Sequence, residues 1–183
     1  MTAMTVMPRQ PAEWTVDDLD RLPDDGLQYE LLDGILLVSP APIVRHQLVS
    51  ANLYLLVHQV CPDHLVALYA PLDWRPDLRT SLQPDLLVAR RADLEERNLT
   101  KPLVLAIEIL SPSSVRKDEV LKRSKYQDSG VAHYWIVDPA EPSILALELV
   151  DGVYRTAGEA TGNESITLER PFPVTIVPAE LID

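Results

Sequence analysis

At 183 residues, with 46% hydrophobic and 24% charged side chains, the chain has ordinary globular composition and is long enough to bury one apolar core. A net charge of −12 excludes a protein that coats nucleic acid non-specifically, because phosphate neutralisation by Lys and Arg supplies most of such binding. The lone Cys61 excludes an internal disulfide and a cysteine-based structural zinc site. No stretch approaches the roughly 20 apolar residues of a membrane span, and the N-terminal sequence lacks the apolar run of a secretion signal, so the expectation is a single domain over 1–183 in a reducing cytoplasm.

Taken in chain order, Thr15 followed by Asp18 has capping spacing and predicts a short helix that stops near Pro23. Tyr29 to Val38 reads as a hairpin turning at Asp33-Gly34. Gln47 to Val60 carries apolar residues at mostly helical spacing and is long enough to be a first core helix. Three extended runs follow: Leu65 to Trp74, Ser81 to Ala89 with Pro84 near its start or on an edge, and Leu103 to Leu110, which is almost continuously apolar and therefore central. Ser113 or Ser114 can cap a helix from about Val115 to Asp128, closed by Gly130. His133 to Val137 is a further strand, Ile144 to Val150 and Val153 to Thr156 form a hairpin around Asp151-Gly152, and Phe172 to Val177 is a last strand. The order predicts an α/β fold: a mixed sheet flanked by two main helices, with additional β-hairpins.

Charge is unevenly spread. Between Arg75 and Lys125 eleven basic residues face eight acidic ones, net +3, leaving net −15 elsewhere. The middle of the chain is the place an anion can approach, although solvated loop and helix charges give the same count. Within that window Glu108 sits in Leu103-Val-Leu-Ala-Ile-Glu-Ile-Leu110, where a carboxylate loses hydration unless a cation or hydrogen-bond donors meet it. Asp85 has a similar setting in Gln83-Pro-Asp-Leu-Leu-Val-Ala89. If the two strands are neighbours, both carboxylates share a face, and a divalent ion removes their mutual repulsion. The plain alternatives are edge carboxylates facing solvent, or Glu108 paired with an arginine. Asp118, Lys122 and Tyr126 follow at i, i+4, i+8 on one helical face, which a helix leaving the Glu108 strand would lay over the strand's end. Lys122 is then the candidate amine, with Lys117 and Lys125 as competitors and a surface Asp118–Lys122 pair as the bland reading.

Together, Tyr29-Glu-Leu-Leu-Asp-Gly34, Gln83-Pro-Asp85, Ile107-Glu-Ile-Leu-Ser-Pro-Ser-Ser114, Lys122-x-x-x-Tyr126 and Gly130-Val-Ala-His-Tyr-Trp-Ile-Val-Asp-Pro139 resemble the Uma-type restriction endonucleases, a group placed in the PD-(D/E)XK nuclease superfamily. The resemblance spans a core of roughly 29–139 and implies a restriction-endonuclease-like fold in which Asp85 and Glu108 are the metal carboxylates. The superfamily's plain pattern puts its lysine two residues after the second acid, where this chain has Leu110; the family's matching position is Lys122. Glu30 and His46 also match family positions, as supporting groups. A hairpin glutamate and a solvated helix-start histidine are the simpler accounts of those two.

The resulting expectation is a Mg²⁺- or Mn²⁺-dependent endonuclease acting on DNA. The metal would be held by Asp85, Glu108 and the Ile109 carbonyl, and Lys122 would position the attacking water or steady the transition state. The rival is a nucleic-acid-binding or assembly module that keeps the fold without cutting, and a homodimer suits either. Three signals carry little weight. Ser114-Val-Arg-Lys117 matches S-x-x-K without its partner motifs. His58, Cys61 and His64 lack a fourth soft ligand. Tyr134-Trp135 sits in an apolar strand, where aromatic residues are core more often than base-stacking platforms.

Overall fold

The computed structural model describes residues 13–111 and 116–182, with the side chains of 116–119 outside that description. In chain order the elements are α1 (Val16–Leu19), β1 (Gln28–Leu32), β2 (Ile35–Ser39), α2 (Val44–Val60), β3 (Leu65–Tyr69), β4 (Trp74–Asp77), β5 (Thr80–Leu82), β6 (Leu86–Arg90), β7 (Leu105–Ile109), α3 (Arg116–Asp128), β8 (His133–Asp138), β9 (Ser143–Val150), β10 (Val153–Thr161), β11 (Ile166–Leu168) and β12 (Val174–Ile176). Short 3-10 turns follow β6 and β12. No described helix is long and apolar enough to cross a membrane.

Six strands form a mixed sheet in the order β10-β9-β8-β7-β6-β3, in which only the β7–β8 pair is parallel. That parallel pair is the one joined through α3, as a strand-to-strand crossover requires. Alternation along the strands sorts the core into two layers. Leu86, Val88, Leu105, Ile107 and Trp135 point to the side covered by Val49, Leu53 and Val57 of α2. Leu87, Ala89, Ala106 and Tyr134 point to the side covered by α3 through Tyr126. A second, four-stranded sheet, β2-β1-β5-β4, lies on the α3 side and adds Leu32, Trp74 and Leu82 to that layer. Trp74 is fully buried, stacks on Tyr126 with ring centroids 5.3 Å apart, and donates its indole N–H to the Lys101 carbonyl at 2.9 Å. Tyr126, Tyr134 and Tyr154 extend the aromatic contacts across the sheet.

Several expected elements stand where the sequence puts them. Thr15 and Asp18 form a reciprocal capping box on α1, and the β1–β2 hairpin turns at Asp33-Gly34 with both residues at positive φ. Gly130, also at positive φ, follows α3. The central place of the Glu108 strand holds: β7 lies between β8 and β6. The expected Ser113 or Ser114 cap lies outside the described residues, as does the Asp118 side chain.

Three differences have local causes. The run from Leu65 to Trp74 forms β3 only as far as Tyr69 and, beyond Pro71, ends at the first residue of β4, while Ser81 to Ala89 divides at Pro84 between β5 and β6. A proline offers no N–H to a ladder, so each run breaks there and the halves enter different sheets. β10 continues five residues past Thr156, across a bulge between Thr156 and Gly158, although its sequence is polar. Pairing with the whole length of β9 outweighs its weak local preference. β11 is too short to announce itself by pattern and forms by pairing with β12.

The β1–β2 turn ties the small sheet to its neighbours. Gly34 lies at φ +84, its N–H donates to the Arg79 carbonyl at 2.8 Å, and a Cβ there would stand 2.9 Å from the Arg79 guanidinium. Gly34→Ala is therefore expected to lower stability by about 1–2 kcal/mol, read as a lower urea midpoint with an unchanged denaturant slope.

Candidate active site

The β6–β7 ladder pairs Leu86 with Ile107. Continued by one residue, that register sets Asp85 opposite Glu108, and directly opposed residues share a face. Asp85 stands just ahead of β6 because Pro84 ends the preceding run. Its backbone carbonyl accepts from Ala70 N–H at 3.1 Å, and its side-chain Oδ2 accepts from Ile109 N–H at 2.7 Å. Glu108 points into the α3 side of the sheet and is 9% exposed.

Both plain alternatives for Glu108 fail here, since it neither faces solvent nor pairs with an arginine. The Lys122 ammonium donates to both of its carboxylate oxygens at 3.2 Å, and the Tyr126 hydroxyl donates to Oε1 at 2.7 Å. Lys122 also donates to Glu30 Oε1 at 3.0 Å, so one ammonium bridges a strand of each sheet. Glu30 is itself fixed by Gln83 N–H at 2.8 Å. On the far side, His46 Nε2 lies 3.2 Å from Asp85 Oδ1. His46 shares the buried face of α2 with Val49, Leu53 and Val57, one turn before the apolar contacts begin.

All five sequence-derived side chains, Glu30, His46, Asp85, Glu108 and Lys122, thus line one cleft of about 540 Å³, together with Ile109. The competing amine Lys125 is elsewhere: it is bound to Asp33 at 2.6 Å and Asp77 at 2.7 Å, clamping α3 to the turns of both small-sheet hairpins. The Lys117 side chain lies outside the described residues.

Two contributors lacked a role at the level of sequence. Tyr126 is recognisable as sharing the Lys122 face, yet its hydroxyl bond to Glu108 is not. Gln83 stands next to the Pro84-Asp85 pair, and its backbone holds Glu30 while its side-chain amide donates to Asp73 at 2.7 Å. Asp73 is held in turn by Arg75 at 2.6 Å, which also binds Asp20 at 2.7 Å. Tyr134 and Trp135 are both buried, in opposite layers.

The electrostatics follow from burial and from counting. Burial drives the Glu108 carboxyl up to about 7; Lys122 opposes this, while Asp85 and Glu30 add to it. Burial disfavours the Lys122 ammonium, but Glu108 and Glu30 outweigh it and hold its pKa above the ordinary lysine value. For His46, burial works against the charged ring, and Asp85, with help from Glu108 and the Ile109 backbone, raises its pKa nonetheless. Three carboxylates, Glu30, Asp85 and Glu108, therefore share the cleft with two bases, Lys122 and His46.

That arrangement bears on a divalent metal. Among the described residues no group of three or more His, Cys, Asp or Glu side chains forms a ready metal site, so His58, Cys61 and His64 form none. Asp85 and Glu108 nevertheless offer carboxylate oxygens of the kind hard cations take, and Mg²⁺ characteristically keeps several waters and needs only one or two protein carboxylates, so the two acids fit it.

No curated protein matches the chain. Among solved structures, the chain is similar to one described as a "putative nuclease belonging to DUF820 from Anabaena variabilis ATCC 29413", with a TM-score of 0.72 and 18% identity over 92% of this chain and 97% of that one. At that identity the likeness speaks for the fold. A family model described as "Putative restriction endonuclease" matches residues 16–180, almost the whole chain, and the protein therefore belongs to the Uma2 family.

Proposed function

We propose that the protein is a metal-dependent nuclease that hydrolyses phosphodiester bonds in DNA. The observation that carries this reading is the Lys122 bridge: an ammonium held between Glu108 and Glu30 at the end of a strand whose neighbour presents Asp85 in register. Asp85, Glu108 and the Ile109 carbonyl would hold Mg²⁺ or Mn²⁺. When bound, such an ion supplies Lewis-acid activation of water and neutralises charge on the phosphate.

The protein's own groups have distinct tasks. Lys122 stays protonated near neutral pH because its pKa is raised, so it acts as a cation and not as a base. It orients the attacking water through its N–H groups and offsets the charge that grows on the phosphoryl oxygens. Tyr126 and the Ile109 N–H lock the two carboxylates, which keeps reorganisation during the reaction small. His46 holds Asp85 from the α2 side, and Glu30 would keep hold of the Lys122 ammonium were Glu108 to ligate a metal.

One observation favours the second reading, a nucleic-acid-binding module without cleavage: protein groups engage both oxygens of Glu108, through Lys122 and Tyr126, and both of Asp85, through Ile109 N–H and His46. Calorimetry separates the two. The nuclease reading requires Mn²⁺ binding that weakens as pH falls through about 7, because the raised carboxyl must release its proton to ligate. Proton release should accompany binding below that pH, and Glu108→Gln should abolish both. No measurable Mn²⁺ binding, with DNA still held in EDTA, would point to the binding module.

Cleavage is tested with linear, circular, single-stranded and branched DNA in Mg²⁺ and in Mn²⁺. Asp85→Ala, Glu108→Ala and Lys122→Ala are each expected to lower metal-dependent cleavage by at least ~100-fold with circular dichroism unchanged. Undiminished cleavage by the Glu108 variant would refute the assignment. Lys122→Met leaves Glu108 and Glu30 without their shared cation, so its stability deficit should be smallest in acid, where Glu108 is protonated, and grow as pH rises through the Glu108 titration. Urea midpoints at acidic and alkaline pH read that slope directly.

A further inference from the structure

The site is recessed. Lys122, Glu30 and Glu108 side chains are 11–13% exposed, and His46 is 9% exposed, at the floor of a cleft of about 540 Å³. That volume suits a drug-sized molecule, the bulk of one or two nucleotides. The mouth is framed by Val38, Pro40, Pro42, Ile43, Tyr69 and Pro71, all exposed. Among the described lining residues there is no arginine, and the one lysine, Lys122, is already held by two carboxylates. Duplex recognition rests on cations that replace the counterions of both backbones, and the described walls of this cleft do not supply them.

They supply rings and flat apolar surface instead. Tyr69, 59% exposed at the end of edge strand β3, meets Tyr54 edge-on with centroids 5.0 Å apart, so its ring is braced. Tyr54 in turn stacks on His58 at 5.3 Å and an interplanar angle of 20°. On α2 the spacing Ile43, Gln47, Ser50, Tyr54, His58 is one continuous stripe, and its first three members line the cleft. The stripe leads from the candidate catalytic groups out along the helix for ~22 Å, at 1.5 Å per residue, room for several stacked nucleotides. Base stacking on aromatic rings tolerates any sequence, because every base presents a π-face.

We propose that the cleft takes a single nucleic-acid strand or an unpaired end, with bases stacked on Tyr69, and that it does not take an intact duplex. This rests on the nuclease reading for what happens to the strand once it is bound. It also removes the need for two half-sites, since one copy of the chain can engage one strand.

The test is fluorescence anisotropy with a labelled single-stranded oligonucleotide, the matching blunt duplex, and the duplex carrying a single-stranded overhang. It is run in Ca²⁺ with strand integrity checked afterwards. The single strand and the overhang should bind at least about tenfold more tightly than the blunt duplex. Tyr69→Ala should weaken single-strand binding about tenfold, a loss equivalent to ~1.4 kcal/mol of stacking, and Tyr69→Phe should restore it. Blunt duplex bound as tightly as single strand, Tyr69→Ala binding unchanged, or no measurable binding of any oligonucleotide would each overturn the proposal. None of these readouts depends on turnover. A protein that binds single strands through Tyr69 yet cleaves nothing overturns the nuclease reading and leaves this one standing.

Discussion

One ammonium group organises the molecule's polar interior. Glu108 is built into the middle of an apolar strand, where a charged carboxylate is costly, and Lys122 reaches it from the following helix while also holding Glu30 from the other sheet. A buried ion pair of this kind is poor value as a source of stability, since well-packed apolar side chains of equal volume do as well or better. Three carboxylates and two bases gathered around one cleft are therefore hard to explain as scaffolding.

The surrounding structure serves to keep that ammonium in place. Trp74 and Tyr126 press α3 against the junction of the two sheets, and the Tyr126 hydroxyl turns the same residue into a donor to Glu108. Lys125, one residue before Tyr126, grips Asp33 and Asp77 at the two turns of the small sheet. The strand that carries Glu30 and the helix that carries Lys122 are thus fastened at both ends. From the other layer, α2 contributes His46 at the start of its buried stripe, so Asp85 is met by a residue of α2 and Glu108 by residues of α3.

Much of this was legible in the sequence, for identifiable reasons. Glu108 stands out because an acid inside a continuous apolar run is physically anomalous, and Lys122 because helical spacing carries a residue back over the strand that precedes the helix. Glu30 and His46 become visible only through the family resemblance; nothing local to a hairpin glutamate or a helix-start histidine reveals a partner 92 or 39 positions away. The four-stranded sheet was hidden for the same reason. Its strands β4 and β5 are short and overlap the expected runs only in part, and β5 joins β1 only through long-range pairing while β4 pairs with β5. Gln83 belongs to that hidden layer, which is why its hold on Glu30 could not be anticipated.

The order in which the site's groups occur along the chain has a consequence for a protein still being made. Glu30, His46, Asp85 and Glu108 all emerge from a ribosome before Lys122, and until the last of them is joined by the lysine, three acids share a single base. The strand that shields Glu108 from beyond, β8, comes later still. A nascent or truncated polypeptide therefore cannot assemble the charge balance on which the cleft depends. The groups of the finished cleft come together only through pairing between distant parts of the chain.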